Sequence, residues 1–393
     1  VRQQNRQYHL KNHQRYIKIE IPKMISLLIF LLVLVSVLGV VMAAAYRDGT
    51  GFDVLRRSLS YRGKTSGGQT VYKYDAGARN RFANLDGALV ILSDTHLQVL
   101  SEEGEEVWST TVNMKAPALH QSGNRAVAYD VGGTELYVVG PTGELMHQSV
   151  KETEPLLSAR LNEDGWLAVT AEKQTYKGCV TVYNQGLEAV FAFNSSDRFV
   201  TDACVGRGGR YLAAVTLGQE TGVFVSSVVL YNMEEEQPMA SYDIADGLVA
   251  AIAEHNGRLV TVSDTCLTLA ELGGTVAATY FYSDVYLRGY TLGGEEFLAL
   301  LLNRYQSGSV GQLVTLDRNG AVLGSLEVSQ EVLGLSAAGR YLAVLYADRL
   351  VIYNQDLQVY ASLNGTDFAS GVLMRPDGSA LLLSASSARL FLP

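Results

Sequence analysis

The side chains able to do chemistry are few and scattered. Cys179, Cys204 and Cys266 lie far apart, with no Cys-x-x-Cys, each inside an apolar run. That is the setting of small buried hydrophobes rather than of a disulfide framework or a reactive thiolate. The six histidines (His9, His13, His96, His120, His147 and His255) are dispersed, and the pair His9 and His13 stands in a basic tail with no third ligand. There is no Gly-x-Ser-x-Gly elbow, no Walker loop and no dinucleotide fingerprint. Gly206-Arg-Gly-Gly209 runs into a strand pattern, whereas a phosphate cradle needs a helix N-terminus behind it. The paired acids Glu102-Glu103, Glu105-Glu106 and Glu234-Glu235-Glu236 fall at turns, where solvation accounts for them. To act as glycosidase carboxylates they would have to meet across a cleft. The expectation is therefore no catalytic, cofactor-binding or metal-binding residue and no cofactor. What stands out instead is aromatic next to basic in loop segments, Tyr176-Lys177 and Arg304-Tyr305 with Arg198, the composition of a binding hot spot.

The elements that would position these residues are set by an internal repeat. A Gly turn, an apolar strand, a second turn and an alternating strand ending in Tyr-Asn recur, as in Asp164-Gly-Trp-Leu-Ala-Val-Thr with Val180-Thr-Val-Tyr-Asn184. The copies at Gly209 and Gly339 end in Tyr231-Asn232 and Tyr353-Asn354. Marker glycines stand at 87, 123, 165, 209, 257, 294, 339 and 378, at spacings of 36, 42, 44, 48, 37, 45 and 39. A strand-built period of about 40–45 residues is that of a β-propeller with four strands per blade. The third unit should hold strands at 156–161, 166–171, 179–183 and 188–193. The last unit ends at Pro393 short of an outer strand, and Thr70-Val-Tyr-Lys-Tyr-Asp75 is the candidate that supplies it and closes the ring. The expected fold is all-β, a propeller of eight blades, or seven if one weak unit is degenerate. Leu100-Ser-Glu-Glu-Gly-Glu-Glu-Val-Trp108 resembles the Gly-x-x-x-Trp blade signature of quinoprotein dehydrogenases and of their non-catalytic relatives. Only the first unit has it, so Trp108 is expected to pack between blades.

Ala128-Tyr-Asp-Val-Gly-Gly133, Gly165-Trp-Leu-Ala-Val-Thr170 with Tyr176-Lys-Gly178, Leu335 to Leu345 and the terminal Ala388-Arg-Leu-Phe-Leu-Pro393 carry a family resemblance. The chain resembles an uncharacterised family of Gram-positive bacteria, a domain of unknown function whose members are single-span, membrane-anchored, propeller-like proteins. The resemblance implies the same architecture and brings no catalytic or binding residues with it.

Met24 to Ala45 contains no charged residue, and Ser26 and Ser36 are its only hydroxyls. At about 1.5 Å per residue such a helix covers the roughly 30 Å hydrocarbon core. Residues 24–46 are expected to be a signal anchor in the bilayer, with a cleavable signal peptide ending near Ala43-Ala44-Ala45 as the alternative. The order is a basic tail at 1–23, the anchor, a polar stalk at 47–69 that includes a short helix from Phe52 to Arg57, and the propeller at 70–393. Lys and Arg are nearly balanced across the span, so orientation rests on this layout, with the N-terminus cytoplasmic and the propeller extracytoplasmic. The net charge of −9 hides a division: residues 1–65 carry 11 Lys+Arg and 3 Asp+Glu, and residues 66–393 carry 20 and 37. An acidic body with so little Lys argues against nucleic acid as partner. The function expected is a non-enzymatic interaction or scaffold module of the cell envelope, with a protein or wall polymer as partner. The alternatives are a hydrolase or quinoprotein-like enzyme with a cross-blade site in the central funnel, and a ligand sensor.

Overall fold

A computed structural model of the chain describes residues 30–40, 70–75, 77, 80–244 and 247–393. The chain divides into two compact units, Val1–Gly63 and Lys64–Pro393. In the first, residues 30–40 are helical and exposed. No helix among the described residues is long and apolar enough to cross a membrane. The remainder of the expected span at 24–46, the basic tail, the helix expected from Phe52 to Arg57 and the stalk lie outside the described residues.

The described residues of the second unit form eight four-stranded antiparallel sheets, one per expected repeat, so the seven-bladed alternative falls away. In blade 3 the strands are Leu156–Leu161, Leu167–Lys173, Tyr176–Tyr183 and Ala189–Ser195, ordered from the innermost outwards. The middle strands of each blade are buried on both faces and therefore read as unbroken apolar runs. Ala88–Leu92 and Tyr341–Tyr346 are buried at every position. The outer strands alternate exposed and half-buried, as Glu106–Thr111 does, because one face meets solvent.

The repeated motif has local physical causes. Gly165 sits at φ 86° in the turn between the first two strands of blade 3, and most of the other marker glycines share that left-handed conformation. The Asn of Tyr-Asn caps the turn into the outer strand: Asn184 Oδ1 accepts the Glu188 N–H at 3.0 Å, and Asn354 Oδ1 accepts Gln358 N–H at 2.8 Å. The register also slips by one residue just before that Tyr, between Val182 and Tyr183 and between Ile352 and Tyr353.

The core is divided into wedges between neighbouring blades. Val180, Val182, Val200, Leu212 and Ala214 fill the space between blades 3 and 4, and Ala251, Val260, Leu298, Leu300 and Val314 that between blades 5 and 6. Trp108 packs against the wedge shared by blades 1 and 2, with its Cβ and Cγ so close to Gly143 that a side chain there would sit 2.9 Å away.

Thr70–Lys73 pairs with the last strand, Ser387–Phe391, and becomes the outer strand of blade 8. Tyr72 is wholly buried at this junction. Its hydroxyl donates to the Gly87 carbonyl of blade 1 at 3.0 Å and accepts from Arg375 Nη2 at 2.9 Å. Tyr74 adds bonds from its hydroxyl to the carbonyls of Ser384 and Ser387, at 2.8 and 2.7 Å. Tyr72→Ala is expected to cost about 3–5 kcal/mol, against about 1–2 kcal/mol for Tyr72→Phe, which loses the hydrogen bonds alone. Urea unfolding compares the two, and a Tyr72→Ala variant as stable as the parent would show that ring closure does not depend on this strand.

Candidate interaction face

Two places in the ring gather polar or aromatic side chains from separate blades. The first is the central channel. Arg160, from the innermost strand of blade 3, meets Asp202 on the innermost strand of blade 4, Phe199–Val205. Arg160 Nε donates to both Asp202 carboxylate oxygens at 2.8 and 2.7 Å, and Nη2 lies 2.6 Å from Oδ2. The Ser158 hydroxyl and the Ala203 N–H also donate to Asp202. The side chains are 19% and 8% exposed, so this is a buried pair with its carboxylate lone pairs occupied. Burial works against the Arg160 charge, and Asp202 outweighs it, raising the guanidinium above its ordinary range. Tyr290, on the innermost strand of blade 6, belongs to the same group: burial pushes its phenol up, and the Arg160 charge works against that.

His120 of blade 2 stands beside this pair and accepts the Leu161 N–H on Nδ1 at 3.2 Å. Burial, aided by the neighbouring Arg160 charge, pushes its pKa down to about 3. The ring is therefore neutral at every ordinary pH, with one nitrogen already committed. A carboxylate clamped by five hydrogen bonds or ion contacts and an imidazole held neutral do not make an acid–base couple. Nor do they gather into a metal site: among the described residues no three His, Cys, Asp or Glu side chains could hold an ion together. Cys204 and Cys266 are buried and Cys179 half-buried, and burial pushes the Cys204 thiol up to about 12. Sequence reasoning overlooked Arg160 and Asp202. The available signal was a pair of opposite charges within otherwise apolar strands of adjacent repeats.

The second place is the end of the ring that carries the hairpins between second and third strands and the connections from one blade to the next. By the antiparallel order, Tyr176, Lys177, Arg198, Arg304 and Tyr305 all belong to this connector face. The fold brings the first three together at blades 3 and 4, and leaves Arg304 and Tyr305 on blade 6. Lys177 Nζ lies 5.1 Å from the Phe199 ring centroid and Lys173 Nζ 5.6 Å from that of Tyr176. Arg198 is a staple across the blade 4 hairpin. Its guanidinium lies against Gly218, bonded to Thr216 Oγ1 at 3.2 Å, Glu220 at 2.8 Å, the Val225 carbonyl at 2.5 Å and Ser227 Oγ at 2.9 Å.

What Arg198 holds is the blade 4 hairpin, Tyr211–Glu220 paired with Val223–Asn232. Thr221 and Gly222 both have positive φ, 49° and 89°, as a two-residue hairpin turn requires. The innermost strand pairs only as far as Leu217 and the outer strand only to Ser227, so the tip projects beyond both neighbours. It carries Val223 and Phe224, 60% and 64% exposed, and Phe199 beneath is 53% exposed. Register places Phe199, Leu217, Ser226 and Phe224 on one face of the sheet. The hairpin thus bears Phe224 on the same face as Phe199, onto whose ring Lys177 reaches from blade 3, where Tyr176 is also exposed. Its extra residues account for the 48-residue spacing, the longest between marker glycines.

A family model for proteins of unknown function, DUF5711, matches residues 62–362. The chain belongs to the DUF5711 family. The match covers the closing strand Thr70–Lys73, blades 1 to 6 and nearly all of blade 7, while the three inner strands of blade 8 lie beyond it. No curated protein matches the sequence. Among solved structures this DUF5711 chain is similar to the C-terminal WD40 domain of Sif2, with 14% identity and a TM-score of 0.59 over 84% of this chain and all of that one. It is similar to the computationally designed protein Ika8, with 13% identity and a TM-score of 0.58, and to BamB from Moraxella catarrhalis, with 13% and 0.52; each covers 83% of this chain and 100% of the other. At such identities the likeness is one of fold, and it agrees with the blade architecture read above.

The channel generates two tests. His120 has an unfolded pKa of 6.5 and a folded one of about 3, so the unfolded chain binds the extra proton between those values. Stability is complete above pH 6.5 and is lost as pH falls towards 3, by up to about 1.4 kcal/mol per pH unit. His120→Gln should flatten that part of the pH dependence, and an unchanged slope would mean that the ring is not held neutral. Asp202→Asn leaves Arg160 buried without its counter-charge and should cost about 3–5 kcal/mol, while the double variant Arg160→Met with Asp202→Leu should recover most of it. Chemical denaturation of the three proteins checks this, and equal losses would show that the pair is not coupled.

Proposed function

We propose that this DUF5711 protein is a non-enzymatic interaction module that docks a protein partner through the connector face at blades 3 and 4. One observation carries the reading: a projecting hairpin fixed by Arg198 exposes Val223 and Phe224, with Phe224 on the same sheet face as exposed Phe199 and with Tyr176 of blade 3 exposed at the same end of the ring. Isolated exposed hydrophobes need no explanation, but a cluster on a rigid projection is the usual anatomy of a contact site. The neighbouring channel supports the same reading, because its charged groups are committed to one another.

The proposal extends to place. The uncharged run from Met24 to Ala45, flanked by Lys and Arg on both sides, is long enough to anchor the chain in a bilayer with the propeller outside, as part of the cell envelope. Protease added to intact cells should then cleave the propeller, and protection of it would reverse the orientation. For the docking face, a photo-crosslinking residue at position 224 or 199 of the full-length chain should give a discrete adduct, and one at position 235 on the opposite end should not. Phe199→Ser combined with Phe224→Ser should reduce partner capture by about tenfold or more, with little change in stability since both rings are exposed. Adducts from position 235 alone would move the interface to the other end and end the proposal.

A further inference from the structure

We infer that a second site on the connector face, between blades 6 and 7, binds a neutral oligosaccharide. A cleft of about 470 Å³ opens there, in the size range of small-ligand sites. It exists because of a loop. In blade 6 the second strand, Leu298–Asn303, and the third, Gly311–Leu316, are joined by residues 304–310. The equivalent hairpins of blades 5 and 7 turn within residues 264–265 and 347–348. The long loop is built rather than loose. Buried Asn303 donates from Nδ2 to the Gly308 carbonyl at 2.8 Å, and the Arg304 N–H donates to the Val310 carbonyl at 2.9 Å. Gly308 takes φ 134° where the chain doubles back, and Gly311 has no room for a Cβ against the Leu302 carbonyl.

The lining selects the ligand class. Gln306 and Gln330 each present amide donors and an acceptor, and Ser307 and Ser309 present hydroxyls that do both. Vicinal sugar hydroxyls are likewise both donors and acceptors, so such a set can be matched without burying an unpaired group. Half-buried Val332, with Leu301 and Val328 of the core beneath it, supplies apolar surface for the C–H face of a pyranose ring. Charge is represented once in each sign, by Arg288 and Glu331, which gives no net attraction for a phosphate or other polyanion. The surrounding acidic body would repel one. Tyr305 stands on the same loop with its ring 62% exposed, beside Gln306, where a sugar unit outside the cleft can stack. This site is separate from the aromatic hairpin of blades 3 and 4 and does not depend on what that hairpin binds.

The test uses the full-length chain in a detergent without sugar head groups, with chitotetraose and cellotetraose as probes and a neutral tetrapeptide as the competing class. Saturation-transfer NMR should show transfer to ring C–H protons of at least one glycan. Titration should give a dissociation constant that rises about tenfold in Gln330→Ala and in Arg288→Ala, and stays unchanged in Phe224→Ser. Gln330 and Arg288 are exposed, so these variants should fold, and thermal melting verifies it. Transfer to neither glycan overturns the inference, as does transfer to the tetrapeptide alone. Glycan binding indifferent to both cleft variants also overturns it, because the sugar would then sit elsewhere.

Discussion

A blade of this protein cannot bury its own faces. Its middle strands are apolar on both sides, and the only surface available to cover them is the next blade. Leu89, Val90 and Ile91 in blade 1 are as inaccessible as Val180 and Val182 in blade 3, although no strand within either sheet lies over them. Blade-to-blade packing is therefore the interaction on which everything else depends, and it has no natural stopping point until the last blade meets the first. Closing the ring with Thr70–Lys73 solves that problem, and it explains why a four-residue strand carries a wholly buried Tyr72 bonded to two different blades.

That arrangement also decides where function can reside. The faces of the blades are consumed by packing, and the turns on the far end are shaped by Gly and Asn to reverse the chain economically. The connector face is free to vary, and the residues beyond the repeat minimum are found there. Blade 4 lengthens its hairpin and tips it with Val223 and Phe224; blade 6 lengthens the loop from 304 to 310 and opens a cleft. The spacings of 48 and 45 residues between marker glycines record both insertions. The channel takes the opposite course. Its Arg160 and Asp202 are matched, with Ser158 and Tyr290 around them, so charge inside the ring is neutralised locally and contributes to cohesion between blades.

The strands were legible in the sequence because a strand buried on both faces and a Gly or Asn turn each leave a local signature. The innermost strand of blade 3 at 156–161 and the closing strand that begins at Thr70 fall where the pattern puts them. Boundaries drifted where the register bulges or where a hairpin is longer than its siblings, as with the third strand of blade 3, which starts at Tyr176 rather than Cys179. The candidate site was legible in part. The aromatic and basic residues singled out in connector loops all fall at one end of the ring. The bonding of Arg198 was not legible, because its partners Glu220, Val225 and Ser227 lie on a hairpin more than twenty residues further along the chain.

The sequence by itself determined the fold class, the repeat period, the closing strand and the acidic character of the body, because each follows from periodicity, turn chemistry or composition, whereas the structure chose eight blades over seven. Only the tertiary structure decided which polar groups are spent and which are available. Asp202 occupies in blade 4 the place that Ser158 holds in blade 3, two residues away from that of Arg160, and nothing local distinguishes a charge that will meet its counter-charge from one left facing water. The curvature of the ring brings them to 2.6 Å, folds Arg198 down onto Gly218, and leaves Phe199 and Phe224 uncovered.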